Sequence, residues 1–192
     1  MFNVLTDDLP REWNRYRINA GFEIGIKISQ LLKDPELTIA EKAGVAIHLL
    51  YIDIPGSTEE AMSGIQWFLN GWNHDNHSGS KDSVEVFDFD VDQWRIYAAF
   101  RSQYNINLNT ARLHWFEFMG LLTNLSECTF SQVVEFRGKK LTSKMSAVEK
   151  KAIMDAKKLY KIHKAEEALS EEEQLKNDLA LEEFNKLRKS QH

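Results

Sequence analysis

The chain has 192 residues, 43% hydrophobic and 11% aromatic, a composition that can bury one full core and excludes a disordered protein. Its net charge of −5 argues against general nucleic-acid binding, and its apolar runs of only a few residues exclude a membrane span. One cysteine, Cys128, allows no internal disulfide and suits a reducing cytoplasm; the acidic amino terminus, MFNVLTDDLPREW, leads us to expect no secretory signal.

Met1 to Ile18 holds short apolar groups around Pro10 and an Asn14-Arg15 pair, room for a small strand or β-hairpin. Phe22 to Leu32, FEIGIKISQLL, has helical spacing, with Gly25 read as a close-packing position. Asp34-Pro35 ends it, because the residue before proline avoids the helical region. Thr38-Ile-Ala-Glu41 is a capping box for a helix to about Tyr51 that buries Val45, Ala46, Leu49 and Leu50. After the turn Pro55-Gly56-Ser57, Ser57 or Thr58 caps a helix facing Ala61, Met62, Ile65, Phe68 and Leu69 inward. Gly71 to Glu85 lacks periodicity and is rich in Gly, Ser, Asn and Asp, which predicts a mobile loop.

The stretch Val86 to Leu125 carries the densest run of large apolar side chains. Asp90 with Gln93 forms a capping box, followed by stripes of Val91, Trp94, Tyr97, Ala98 and of Ile96, Phe100, Tyr104, with Asn105 ending the helix. Asn107 or Asn109 then caps a second helix containing Trp115, Phe116, Phe118 and Met119, in which Gly120 marks a close crossing. Two such helices joined by about four residues read as an antiparallel hairpin. Trp94, Tyr97, Phe100, Trp115, Phe116 and Met119 are its expected core residues. Ser126 to Gly138 allows a short helix bearing Phe130, Val133 and Val134; Ser146 to Glu149 opens a longer one, and Ser170 to Glu173 a last segment.

Charge is uneven along the chain. Residues 1–138 carry eleven Lys and Arg against nineteen Asp and Glu, residues 139–164 nine against two, and residues 165–192 four against eight. A basic block followed by an acidic one is the mark of an exposed, charge-laced helix. The fold expected is therefore mainly α. Residues 1–142 make a compact helical domain around the central hairpin, with mobile loop 71–85, and residues 143–192 a charged helical extension.

Chemistry-bearing motifs are scarce. Asp88, Asp90 and Asp92 alternate like the start of a calcium loop, but Gln93 stands where Gly is needed and Ala99 where Glu is needed, so helix-start acids are the better reading. His74 and His77 would need an ordered loop and a third ligand to hold a metal. His48 and His114 read as packed core or boundary histidines, and Cys128 as an inert thiol. The lysines of 139–164 lack the Arg forks that read bases, which favours a solvated face or a protein contact. No nucleotide, zinc or nucleophile motif is present, so neither catalysis nor a cofactor is expected.

Phe87-Asp88-Phe89, Tyr97-Ala98-Ala99-Phe100, Leu113-His114-Trp115 and Phe136-Arg137, with LTDDLP near the start and KKLY ending at Tyr160, resemble the bacteriophage gene-product-fifteen family over about residues 3–162. The resemblance implies a siphophage or prophage protein of the tail module, acting in the host cytoplasm like a tail assembly chaperone. Its implied partner is the tape-measure protein, with the major tail protein, a neighbouring chaperone or a second copy as further partners. A structural tail component kept in the virion, or a nucleic-acid-binding regulator using 139–164, remains the alternative. For such a chaperone the thin apolar stripes of Ile153, Leu159, Tyr160, Leu175, Leu179, Phe184 and Leu187 are the expected partner-binding surface.

Overall fold

Cap residues and a proline set several of the helix boundaries in the computed structural model, which describes residues 3–73 and 85–162. Strands β1 (Glu12–Trp13) and β2 (Tyr16–Arg17) pair antiparallel, Glu12 opposite Arg17 and Trp13 opposite Tyr16. Asn14 turns the chain between them in the left-handed region, φ 55°, which Asn tolerates better than most residues. The hairpin is stitched to residues 52 and 53: Ile52 N–H donates to the Arg17 carbonyl at 2.9 Å, and the Arg17 guanidinium holds Asp53 at 2.6 and 3.0 Å.

Helix α1 (Phe22–Lys33) ends at Asp34, before Pro35. Helix α2 (Ile39–Leu50) starts from the Thr38–Glu41 box, in which the Thr38 hydroxyl accepts from Glu41 N–H and the Glu41 carboxylate accepts from Thr38 N–H. Helix α3 (Thr58–Asn70) is capped by the Ser57 hydroxyl. Helices α4 (Gln93–Gln103), α5 (Trp115–Thr123), α6 (Thr129–Gly138) and α7 (Ala147–Leu159) come next, the last opened by the Ser146–Glu149 box. The molecule is thus mainly helical with a short N-terminal hairpin, as its periodicities predict. Of the expected loop 71–85, residues 74–84 lie outside the described residues, as does the segment from Ser170.

Helix α1 packs on α2, α3 and α5, α4 on α6, and α6 on α7. Phe118 is the middle of the core, with Phe22 stacked on it at 4.9 Å, Phe100 at 5.1 Å and Trp115 at 5.8 Å. Such aromatic pairs add ~0.5–1.5 kcal/mol each beyond the area they bury. The tight helix crossing is at Gly25, where an added Cβ would land in the Trp115 ring. Gly120 has open space beside it and marks no crossing.

Several expectations about the central stretch need correction. The link between α4 and α5 spans residues 104–114, not four residues. Asn107 does not cap α5: its side-chain oxygen accepts from Asn109 N–H at 3.1 Å, making a local turn. The chain then runs extended so that Leu113 C=O can accept from Phe22 N–H and Trp115 N–H can donate to Ala20 C=O. Asp90 and Gln93 form no capping box; Asp92 is the N-cap residue of α4.

Phe100, Trp115, Phe116 and Met119 are buried and Tyr97 half-buried, but Trp94 is 75% exposed. Asp92 is fully buried, and with Ile96, Ala99 and Phe100 it defines the inward face of α4 at helical spacing. That roll turns Val91, Trp94 and Ala98 outward. Val45, likewise expected inside, is 45% exposed.

Helix α7 packs on α6 within the compact unit Met1–Tyr160. Ile153, expected on the partner-binding stripe, is buried in α7.

Trp115→Ala should therefore cost ~3–5 kcal/mol through the cavity it leaves, whereas Trp94→Ala should change stability by no more than ~0.5 kcal/mol. Urea unfolding of the two variants would check this, and equal losses would contradict the observed roll of α4.

Candidate functional site

Charge is buried where α4, α6 and the end of α7 meet. Asp92 and Arg137, 0% and 5% exposed, face each other with Nη1 2.5 Å from Oδ2 and Nη2 3.3 Å from Oδ1. Taking both ions from water costs several kcal/mol each, roughly, unless every remaining donor and acceptor is met. They are met here. Arg137 also donates from Nη1 to the Val86 carbonyl at 3.2 Å and from Nε to the Tyr160 carbonyl at 2.6 Å. Asp92 accepts from Asp88 N–H at 3.0 Å and from Arg95 Nη1 at 2.7 Å. Phe136 stacks on Tyr160, and the Arg95 guanidinium lies 5.8 Å from the same ring centroid.

The three alternating acids diverge to separate partners. Asp88 binds Lys33 Nζ at 2.8 Å, Asp90 accepts from Gln30 Nε2 at 2.5 Å, and Asp92 turns inward to Arg137. Burial pushes the Asp88 carboxyl up, but Lys33 and the N–H groups of Val91 and Asp90 outweigh it and hold the group below its ordinary value. Among the described residues no three His, Cys, Asp or Glu gather as a metal site; His74 and His77 lie outside them. Cys128 is half-buried at the start of α6, with its N–H donating to Ser131 Oγ at 3.1 Å.

His114 does more than fill space. It is buried at the N-terminus of α5, where Nδ1 accepts from Phe116 N–H at 3.0 Å. That bond requires Nδ1 to be unprotonated, so the proton sits on Nε2 and is donated to the Pro10 carbonyl at 2.8 Å. One imidazole therefore caps α5 and ties it to the N-terminal segment. Burial is the main cause that lowers its pKa, with Arg11 adding to it and the Pro10 bond and Glu117 opposing.

A large exposed aromatic side chain lies on α4. Trp94 stands edge-on to Tyr97 at 6.0 Å, and beside them opens a cleft of about 410 Å3 lined by Phe22, Ile26, Phe89, Tyr97 and Leu108 among others. The Tyr97 hydroxyl is 3.3 Å from Asn107 Oδ1, which leaves its ring edge in the cleft wall. The expected C-terminal stripe is only partly there: Leu159 is 74% exposed, Tyr160 half-buried and Ile153 buried. Leu175, Leu179, Phe184 and Leu187 lie outside the described residues.

A mainly helical unit closed by one buried ion pair, with its motif residues spent on packing and capping, defines a small α-helical protein whose distinctive surface is apolar. The chain belongs to the family described as Bacteriophage Gp15 protein, whose model matches residues 5–162. The match stops two residues past Tyr160, the end of the first compact unit. No curated protein and no solved structure matches the chain. Among the described residues no helix is long and apolar enough to cross a membrane.

The buried polar groups lead to two expected outcomes. Arg137→Ala should cost ~3–5 kcal/mol in urea unfolding, because it leaves the buried Asp92 carboxylate with Arg95 as its one cation and takes the donor from the Val86 and Tyr160 carbonyls, and Asp92→Leu with Arg137→Met together should cost less than the two single changes summed. For His114, a folded-state pKa below the ordinary 6.5 means that its contribution is complete above that pH and is lost as pH falls through the folded value. His114→Asn keeps a cap acceptor that does not titrate, so it should flatten the loss of stability that the parent protein shows on acidification below about 6.5. Parallel pH profiles for parent and variant would contradict the assigned tautomer.

Proposed function

We propose that this protein is a non-enzymatic tail assembly chaperone that binds the tape-measure protein in the cytoplasm of the bacterial host, without a cofactor. Membership of a phage family supports the setting. The observation that carries the role is the exposed apolar face of α4: Trp94 and its cleft are available to a partner on the folded chain. A chaperone for a long protein with apolar helical stripes needs such a surface, and contiguous apolar patches on a soluble domain commonly mark interaction sites. The aromatic residues it offers are those that dominate binding energy at interfaces.

The test is co-expression with the tape-measure protein encoded by the same phage. Tagged protein should retain it through purification, and mass spectrometry of finished particles should find the chaperone absent. Abundant stoichiometric copies in purified virions would instead identify a structural tail component, and failure to co-purify would remove the proposed partner.

A further inference from the structure

We infer that the α4 face and its cleft form a docking site for an acidic amphipathic helix, a segment whose apolar stripe is flanked by carboxylates. This deepens the chaperone reading and rests on it for the partner's origin; the partner's chemistry is read from the surface itself.

The shape comes first. Val91, Trp94, Ala98 and Arg101 succeed one another along the outside of α4 and the turn before it, all exposed. Ten residues of helix extend about 15 Å, roughly three turns, which suits a partner helix of similar length lying alongside. Next to this ridge is the cleft between α1, α4 and the 104–114 segment, walled by Phe22, Ile26, Tyr97 and Leu108. A ridge bearing one large aromatic beside an apolar trough is the arrangement that takes a helix by its i, i+3, i+4 and i+7 anchors.

The sign of charge comes from the residues around the ridge. Residues 1–138 carry nineteen acids against eleven bases, yet α4 contains Arg95 and Arg101 and no acid at all. Arg101 faces solvent, and among the described residues its Nη1 donates to the Asn105 carbonyl at 3.4 Å. Glu23 is the single carboxylate in the cleft lining, and Arg112, 90% exposed, lies 3.9 Å from it and offsets its charge. Asp90, next to Val91, accepts from the neutral Gln30 amide and keeps its negative charge at the N-terminal end of the ridge, opposite Arg101 at the other end. Arg95 is bonded to Asp92, which leaves Arg101 as the solvent-facing cation of α4; an apolar ridge ending in that arginine, in a domain otherwise acidic, favours carboxylates over a basic helix at that end.

The full-length protein can be titrated with two fluorescein-labelled synthetic helical peptides followed by anisotropy. Both carry the same Leu stripe, one flanked by Glu and the other by Lys. The Glu peptide should bind about tenfold or more tightly than the Lys peptide, and should weaken as salt is raised. Trp94→Ala should weaken it by about tenfold or more, as loss of a central aromatic anchor does, and Arg101→Glu should reverse the preference between peptides. Circular dichroism should show both variants folded, since neither side chain faces the core.

Equal binding of the two peptides, unchanged binding by folded Trp94→Ala, or no binding to either would overturn the inference. So would a Trp94 shielded from acrylamide in the free protein, which would mean that another part of the chain already fills the site. Co-purification separates the two proposals. Tape-measure protein retained equally by parent and Trp94→Ala leaves the chaperone role standing and removes this surface. Its absence from both removes the role, while the peptide titration still judges the surface.

Discussion

The contact between Arg137 and Asp92 ties together parts of the chain that lie far apart in sequence. Arg137 sits near the end of α6, Asp92 at the start of α4, and the guanidinium also holds the carbonyls of Val86 and Tyr160. Four segments therefore converge on one planar cation whose donors have fixed directions. Helix α7 depends on it most. With Ile153 its one buried residue, its attachment leans on the Tyr160 carbonyl at Arg137 and the Tyr160 ring on Phe136. The buried pair matters less for net stabilisation, because desolvation cancels much of the attraction, than for the geometry it imposes.

That geometry decides which face of α4 meets solvent. The helix has two candidate apolar stripes, one with Val91, Trp94 and Ala98 and one with Ile96, Ala99 and Phe100. Burial free energy is non-directional and would discriminate weakly between them, since each stripe carries one large aromatic, one β-branched residue and one alanine. A roll of about 100°, one residue's worth, is all that separates neighbouring alternatives. Asp92 removes the ambiguity. Its carboxylate must point at Arg137 and Arg95, and once it does, Ile96 and Phe100 turn inward with it and Trp94 is left outside.

This also accounts for what the sequence made legible. Helix ends at Thr38, Ser57, Ser146 and Asp34-Pro35 were readable because a cap or a proline acts within a few residues of itself. The close approach at Gly25 was readable as a glycine inside an apolar helix, but the same signal at Gly120 was empty, because only a facing Trp115 gives it meaning. The roll of α4 was not readable. It depends on a charge pair forty-five positions apart, and Asp92 looks in sequence like one more acid at a helix start. His114 was hidden for a related reason: histidine is an unusual N-cap, and its role needs the Pro10 carbonyl, far away in the chain, to hold the proton on Nε2. The Phe136-Arg137 and Leu113-His114-Trp115 motifs were the available signals, each a polar group set between aromatic or apolar ones. A buried polar residue in such company needs a distant partner.

Stability and surface thus come from the same constraint at opposite sides of one helix. The inward Asp92 consumes the acid that would otherwise sit beside Trp94, and it draws Arg95 with it, while Arg101 further along the helix stays in solvent. Had an apolar pair replaced Asp92 and Arg137, the space could be filled equally well, but α4 would lose the directional contact that keeps its aromatic stripe out of the core. The exposed tryptophan is accordingly no packing defect of a loosely fitted helix. It stands on a helix whose roll is set by a buried, directional contact, and a helix already held in place lowers the ordering cost of any binding to its outer face.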